Sequence, residues 1–424
     1  MINLKDNLPI DKEHYDNPII TKLADKTLKH LSEQENFIIF PPTIKESTDL
    51  EDDQFIFERR NGNINASNVI GILKEKDDEI RITSRFYDGD NDDYFIRYML
   101  GKVTSVNVTT NQFMSDKDNA YHDLLVFMFP YHLDNAMKKG VFKAYVKKQY
   151  NDANIKGPID FSRHIVKNVP FTGRVAYNTR EYSYDNEVTQ LIRHTIHKLQ
   201  EKYEIDSIGD SDYKENVNDI IFETPNYSKS QRLEIITKNI VNPIRHGYYY
   251  EYFSLQQLCL KILNDEQIGF GKEENEINGV LIDVAWLWEK YIDTLLPKEY
   301  IHADNKTREN GFSIYSDRRK TVYPDFYSTD TILDAKYKLL ENDTISGSDL
   351  YQISTYLHVR KSSRAGVVYP AVNKGEFKHI GILDGYGGTI FTIGISIPQD
   401  CENYDEFVKK MKQSEDKFRD SLSF

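Results

Sequence analysis

Apolar residues change their spacing twice along this 424-residue chain. Between residues 51 and 110 they fall in short β-rich runs, Phe55–Phe57, Val69–Leu73 and Ile80–Thr83, separated by turn signals such as Asn61-Gly62-Asn63. From about 121 the period becomes helical. Leu124, Leu125, Phe127, Met128, Tyr131, Leu133, Met137, Val141 and Tyr145 follow it, and Pro130 predicts two shorter helices instead of one long one. Helical spacing returns over 184–203, 228–241 and 254–265, with 206–218 reading as a polar, acidic loop. From 278 onward helices and strands alternate. The pattern predicts an apolar helix over Val280–Leu296 and short strands over Val322–Phe326 and Thr331–Tyr337. A helix over Asp349–Val359, strands at Ala365–Pro370 and Thr389–Ile397, and a closing amphipathic helix over 404–424 complete it. No single repeating architecture accommodates three such patterns. The chain therefore reads as multi-domain α/β: a β-rich N-terminal domain over 1–120, a helical middle region over 121–265, and a mixed sheet flanked by helices over 266–424.

Composition narrows the class. Aromatics make up 12% of the chain, enough to build sizeable cores, which excludes wholesale disorder. Two cysteines, Cys259 and Cys401, provide neither a disulfide framework nor a cysteine-based zinc module. The opening MINLKDNLPIDKEHYDN has no apolar signal region, and no run approaches 18 apolar residues. A cytoplasmic protein without a membrane span is the expectation. The net charge of −13 argues, taken alone, against a nucleic-acid partner. The acidic run Asp88–Asp93 is no calcium loop, since Asp93 stands where such a loop needs glycine and Met99 where it needs glutamate.

The segment with chemical content is Tyr323-Pro324-Asp325-Phe326, followed by Ile332-Leu333-Asp334-Ala335-Lys336-Tyr337. Asp334 and Lys336 are two apart, so in a strand they project from one face. The turn Ser328-Thr329-Asp330 brings Asp325 alongside them. Two carboxylates converging from adjacent strands can hold a hard divalent cation such as Mg²⁺. A neighbouring lysine can orient water or stabilise charge developing at phosphorus, the arrangement required for metal-assisted phosphodiester hydrolysis. The competing reading is a surface hairpin with an Asp334–Lys336 ion pair. The flanking helices, one carrying Asp283, Trp286, Trp288 and Glu289, the other Asp349, Gln352 and Tyr356 on one face, favour the site.

These segments, Ile282–Tyr291, Tyr323–Asp325, Leu333–Lys338 and Asp349–Tyr356, resemble the McrC family, the nuclease subunit of McrBC-type restriction systems. Upstream, Lys156-Gly157-Pro158-Ile159-Asp160 and Tyr184-Asp185-Asn186-Glu187 are similar to that family's GxID and DNxxN segments, with Thr189 standing where the second asparagine falls. The resemblance implies a PD-(D/E)xK restriction-endonuclease-like domain over 266–424. It assigns metal-binding and catalytic roles to Asp325, Asp334 and Glu289, and makes Lys336 the catalytic lysine. Gln352 and Tyr356 would support the lysine or the DNA backbone, as would Arg318, Arg319 and Lys320 just before the site. It further implies Mg²⁺ as cofactor, double-stranded and possibly methylated DNA as substrate, and a McrB-like AAA+ GTPase hexamer as partner. The GTP would sit on that partner, since no GxxxxGK[ST] segment occurs in this chain. The N-terminal domain would dock on the ring and stimulate its hydrolysis, with Arg59, Arg60 and Arg85 as contact candidates. LlaJI-type systems use a similar subunit on sequence-specific targets. A non-catalytic adaptor of the motor and a stand-alone nuclease are the remaining alternatives.

Other features admit two readings each. The aromatic stretch His246–Phe253 suits core packing or base stacking. Arg163, His164, Lys167, Arg174 and Arg180 suit phosphate contacts or a solvated face. Trp286 and Trp288 cannot share a helix face, so at least one belongs to a core.

Overall fold

A computed structural model of the chain describes residues 1–32, 34, 37–41, 55–76, 78–87, 93–104, 120–203, 211–245, 247–264, 277–303, 309–340, 344–372, 374–385 and 387–422. Two compact units result, Met1–Phe127 with Gly269–Phe424, and Met128–Ile268.

The first unit holds two main sheets. Val69–Glu75 and Asp78–Thr83 pair antiparallel, and Ile2–Lys5 adds to the second of them in parallel. The far side of Val69–Glu75 is taken by Asn278–Asp283, which also pairs with Phe37–Phe40. This strand corrects the helix expected over Val280–Leu296. Gly279-Val280-Leu281-Ile282 is short, apolar and partly β-branched, and fits a strand buried on both faces. The helix begins only at Val284, where Asp283 accepts hydrogen bonds from the amides of Ala285 (3.0 Å) and Trp286 (3.2 Å) as its N-cap. Residues 1–120 and 266–424, read as separate stretches in the sequence, thus share one five-stranded sheet. Gly71 allows it. At φ +146°, a Cβ there would lie 2.0 Å from the carbonyl oxygen of Val280 on the neighbouring strand. Leu4, Ile19, Leu23, Leu31, Phe57, Leu73 and Leu281 belong to the core on this sheet.

The second sheet has six strands in the order Ile301–His302, Phe326–Tyr327, Thr331–Ala335, Arg364–Ala371, Thr389–Ser396, Phe377–Ile382. Its three central neighbours run parallel and its outer pairs antiparallel, the mixed sheet expected. The strand expected over Val322–Phe326 is broken in two. Thr321–Val322 pairs with Phe312–Ser313, whereas Phe326–Tyr327 pairs with the six-stranded sheet. The edge strand Phe377–Ile382, which the sequence reading does not include, is mostly exposed, its Phe377, Ile380 and Ile382 among the exposed apolar residues. Helix Gly347–Arg360 starts on the Ser346 cap and ends at Lys361, which takes the left-handed conformation. Ile353, Tyr356 and Leu357 on this helix and Ile332, Val367 and Ile390 on the sheet form one core.

Residues 94–103, placed in the β-rich region by the sequence, form a helix capped by Asp93. The rejected calcium loop otherwise lies outside the described residues. Both tryptophans are buried: Trp286 meets Phe40 edge-on at 4.9 Å, and Trp288 packs among Phe95, Tyr291 and Tyr337.

The second unit combines helices with one antiparallel pair, Ala144–Asp152 and Val175–Ser183. The sequence reading extended a helix through 150. Burial instead alternates along AYVKKQYND, the period of a two-sided strand. Pro130 does not split its helix, which runs unbroken over Ala120–Met137. The buried side chains Leu124–Phe129 and Leu133 outweigh the roughly 3 kcal/mol an interior proline costs. The loop expected over 206–218 is corrected from 211 on: Ser211–Glu223 is a helix, because Tyr213, Val217 and Ile220 fall on one buried stripe. The GxID and DN segments are structural in this unit. Asp160 caps helix Phe161–Asn168, and a Cβ on Gly157 would lie 2.1 Å from the Asn178 carbonyl oxygen. Asn186 is buried and donates to the carbonyls of Phe142, Ser183 and Tyr184 at 3.0–3.1 Å. Arg163 is likewise spent on Asn178 and the carbonyls of Tyr150 and Tyr177. Tyr252 fills a core and donates to the Gly140 carbonyl.

Candidate active site

Strand Thr331–Ala335 carries Asp334 as its one ionisable residue among Ile332, Leu333 and Ala335, and it lies third of six in its sheet. Asp334 is therefore 1% exposed although ionisable. The hairpin expected from Ser328–Asp330 closes with Ser328 N donating to Thr331 O at 2.8 Å. Register pairs Phe326 with Leu333, which sets Asp325 beside Asp334. Asp325 Oδ2 accepts the amide of Ala335 at 2.6 Å, so the first acid is fastened to the strand of the second. Lys336 follows the strand, its amide held by the Val368 carbonyl at 2.9 Å. Its ammonium lies 2.7 Å from Asp334 Oδ2. Asp334 Oδ1, by contrast, has no polar partner among the described residues. Burying a carboxylate with one oxygen unpartnered is costly, and the Lys336 ion pair offsets that cost only in part. A buried acid in this state is a functional-site candidate.

The electrostatics agree. Burial first, then the charges of Asp334 and Glu289, push Asp325 well above the usual carboxylate range, against Lys336 and the Ala335 amide. Burial also raises Asp334, although Lys336 pulls it down. Burial opposes the charge on Lys336, but Asp334 and Asp325 outweigh it and hold the lysine above its ordinary value. Two acids and one cation confined in low dielectric compete for protons, and a hard cation can take the place of one.

From the other side, Gln352 Oε1 accepts from the Lys336 ammonium at 3.3 Å, and its amide donates to the Tyr356 hydroxyl at 3.0 Å. Lys338 pairs with Asp349, which also accepts from Ser346 at 2.7 Å. The helix face Asp349, Gln352, Tyr356 thus meets the lysine strand as the spacing implied.

A family model for a McrBC 5-methylcytosine restriction system component matches residues 64–370, most of the chain. The chain belongs to this family. Two solved structures are similar to this McrBC-family chain. One is a refined half-complex from the tetradecameric assembly of Thermococcus gammatolerans McrB AAA+ hexamers with bound McrC. It shows 14% identity and a TM-score of 0.47, covering 100% of this chain and 99% of that one. The other is the cryo-EM structure of the Thermococcus gammatolerans McrBC complex, at 14% identity and a TM-score of 0.30, covering 70% and 87%. No curated protein matches.

In this McrBC-family chain the remaining candidates are placed unevenly. Glu289 reaches the site from helix Val284–Leu295, but its carboxylate is engaged by His302 at 2.5 Å. Among the described residues, the one trio of potential ligands within 4.8 Å of one another is the exposed Asp11, Glu13 and His14, so Glu289, Asp325 and Asp334 are not drawn that tightly together. The donor set nevertheless suits a hard divalent cation: all oxygens, with Asp334 Oδ1 unpartnered among the described residues. Arg318, Arg319 and Lys320 are exposed on the turn between Phe312–Ser313 and Thr321–Val322. Arg319 pairs with Asp317 at 2.5 Å and lies over Tyr315. Arg59 and Arg60 are exposed beside Asp25 and Glu58. Arg85 is 5% exposed and committed to Asp6 and Asn68. Sequence reasoning missed His302 and Asp293. A two-residue strand leaves no periodic signal, and the only trace is a lone histidine 13 residues after Glu289.

Proposed function

We propose that this chain is the nuclease subunit of a McrBC-like restriction system, a Mg²⁺-dependent endonuclease with a PD-(D/E)xK-type site that cuts double-stranded DNA. The observation that carries the reading is the half-buried Asp325 beside the fully buried Asp334, with the Lys336 ammonium 2.7 Å from Asp334 Oδ2 and Asp334 Oδ1 left without a partner among the described residues. Asp325 and Asp334, with Glu289, would hold the ion. When bound, Mg²⁺ supplies Lewis acidity toward the phosphate and lowers the pKa of water. Lys336 is held protonated by its acid neighbours, so it serves as an electrostatic and hydrogen-bonding group toward the attacking water or a non-bridging oxygen, not as a base. Gln352 aims the ammonium, and Tyr356 aims Gln352. The exposed Arg318, Arg319 and Lys320 suit contact with the DNA backbone.

A McrB-like AAA+ GTPase hexamer, whose hydrolysis this subunit stimulates, is the partner in this reading. Membership in a family of restriction-system components supports a partner. So does the second unit, where helix Phe161–Asn168 and its flank expose Phe161, Ile165, Val166, Val169 and Phe171, with Val166 83% accessible. An apolar patch of this kind is fitted to be covered by another protein. Arg59 and Arg60 remain available for contact. Among the described residues no helix is long and apolar enough to cross a membrane, and the reading places the complex in the cytoplasm, acting on foreign DNA.

The deciding experiment assembles the chain with its AAA+ partner and follows cleavage of methylated and unmethylated duplexes with Mg²⁺ or EDTA. Cleavage that needs Mg²⁺ and disappears in Asp334→Ala supports the nuclease. Assembly and GTPase stimulation without any cleavage would make the chain an adaptor.

A further inference from the structure

Glu289 is one of two carboxylates on the same face of its helix, with Asp293 one turn on. Both point to one imidazole. His302 Nε2 lies 2.5 Å from Glu289 Oε1, and Nδ1 lies 3.4 Å from Asp293 Oδ2, with the Lys290 ammonium 3.3 Å from Nδ1. His302 occupies the edge strand paired with Phe326, the residue after Asp325, and its ring lies over Phe326 at 4.8 Å. The next residue, Ala303, donates its amide to the Asp325 carbonyl at 3.2 Å, and Asn310 donates to the His302 carbonyl at 3.1 Å. Two successive residues therefore grip two of the three acids, one by backbone and one by side chain.

We propose that His302 is a positioning residue of the metal site. It clamps Glu289 through Oε1 from the sheet edge, so that the other oxygen is the one presented to the cation. The inference rests on the metal-dependent nuclease reading. Three observations favour it over a plain helix-to-sheet fastening. The clamped carboxylate is the acid whose charge acts on both Asp325 and Asp334. The clamp belongs to the two-residue segment that also holds Asp325. A single-oxygen hold leaves a ligand oxygen over, and outer partners of this kind commonly change metal affinity 10- to 100-fold.

The test is Mn²⁺ binding to the full-length protein without DNA, followed by electron paramagnetic resonance and calorimetry, with a thermal melt of each metal-free variant. His302→Leu removes the donor, and His302→Gln keeps an amide near the Nε2 position. The expected result is about tenfold weaker Mn²⁺ binding in His302→Leu, matching Glu289→Gln, and binding within about threefold of wild type in His302→Gln. The double variant His302→Leu with Glu289→Gln should be no weaker than either single one. Wild-type Mn²⁺ affinity in His302→Leu, whatever its melting temperature, would overturn the proposal. If His302→Leu does not fold, a His302→Gln affinity as weak as that of Glu289→Gln overturns it as well. Undiminished binding in Asp334→Asn would instead overturn the metal-site reading beneath it.

Discussion

Asp6 and Asp334 are both buried, at 0% and 1% exposure, in the same compact unit, and each faces one cationic side chain. Asp6 is satisfied. Its oxygens accept the Arg85 amide at 2.5 Å and the Arg85 Nε at 2.9 Å, and pair with the guanidinium end, which also donates to Asn68. Asp334 is only half satisfied: Oδ2 pairs with the Lys336 ammonium at 2.7 Å, and Oδ1 has no partner among the described residues. A planar guanidinium can meet a carboxylate with two parallel bonds, whereas an ammonium is a point charge that Gln352 also draws on. The contrast separates a fastener from a candidate working group. Burial alone does not distinguish the two acids; what differs is how fully each is paired and that a second carboxylate, Asp325, lies beside Asp334.

Breaking the working group should have the largest effect. Asp334→Ala or Lys336→Ala should lower cleavage by the assembled complex by about 10³-fold, roughly 4 kcal/mol, without loosening the fold. Cleavage time courses and melts of the same preparations check it, and wild-type cutting by either variant ends the comparison. Breaking the fastener should do the reverse. Asp6→Ala leaves Arg85 buried without its carboxylate and should cost about 3–5 kcal/mol in denaturant unfolding, with Mn²⁺ affinity unchanged.

A third acid lies between the two types. Asp93 is buried, accepts the amides of Ser84 (2.7 Å) and Ile96 (3.2 Å), and is still raised by burial from 3.8 to about 6. A carboxyl whose folded pKa exceeds its unfolded one favours folding most when protonated. Its contribution is therefore greatest below pH 4 and falls as pH rises through 6, by about 3 kcal/mol at most. Asp93→Asn should remove that pH dependence from unfolding curves, and a curve unchanged between pH 4 and 7 would show the acid to be compensated like Asp6. The smallest effect is expected at Gln352→Ala. Loss of the group that aims Lys336 should slow cleavage about tenfold, roughly 1.4 kcal/mol, with no shift in melting.

Much of the site was legible because its members are close in sequence. Asp325, the turn 328–330, Asp334 and Lys336 belong to one hairpin and its exit, and strand alternation alone sets their faces. Gln352 and Tyr356 were legible by helical spacing. The failures share another cause. Val280–Leu296 reads as one apolar helix, but its first residues complete a sheet begun some 200 residues earlier. Pro130 reads as a break until the burial of its neighbours is known. Arg85 reads as a partner-facing cation, yet its carboxylate partner stands 79 residues away.

The sequence by itself determined the acid hairpin, the lysine beside it and the helix that supports it, since strand and helix periods act within a few residues. Only the tertiary structure decided which acids are satisfied, that Asn278–Asp283 joins the N-terminal sheet, and that His302 holds Glu289. The physical reason is that desolvation and hydrogen-bond satisfaction depend on whatever the folded chain brings near, and at each of these points the deciding neighbour comes from a different secondary-structure element.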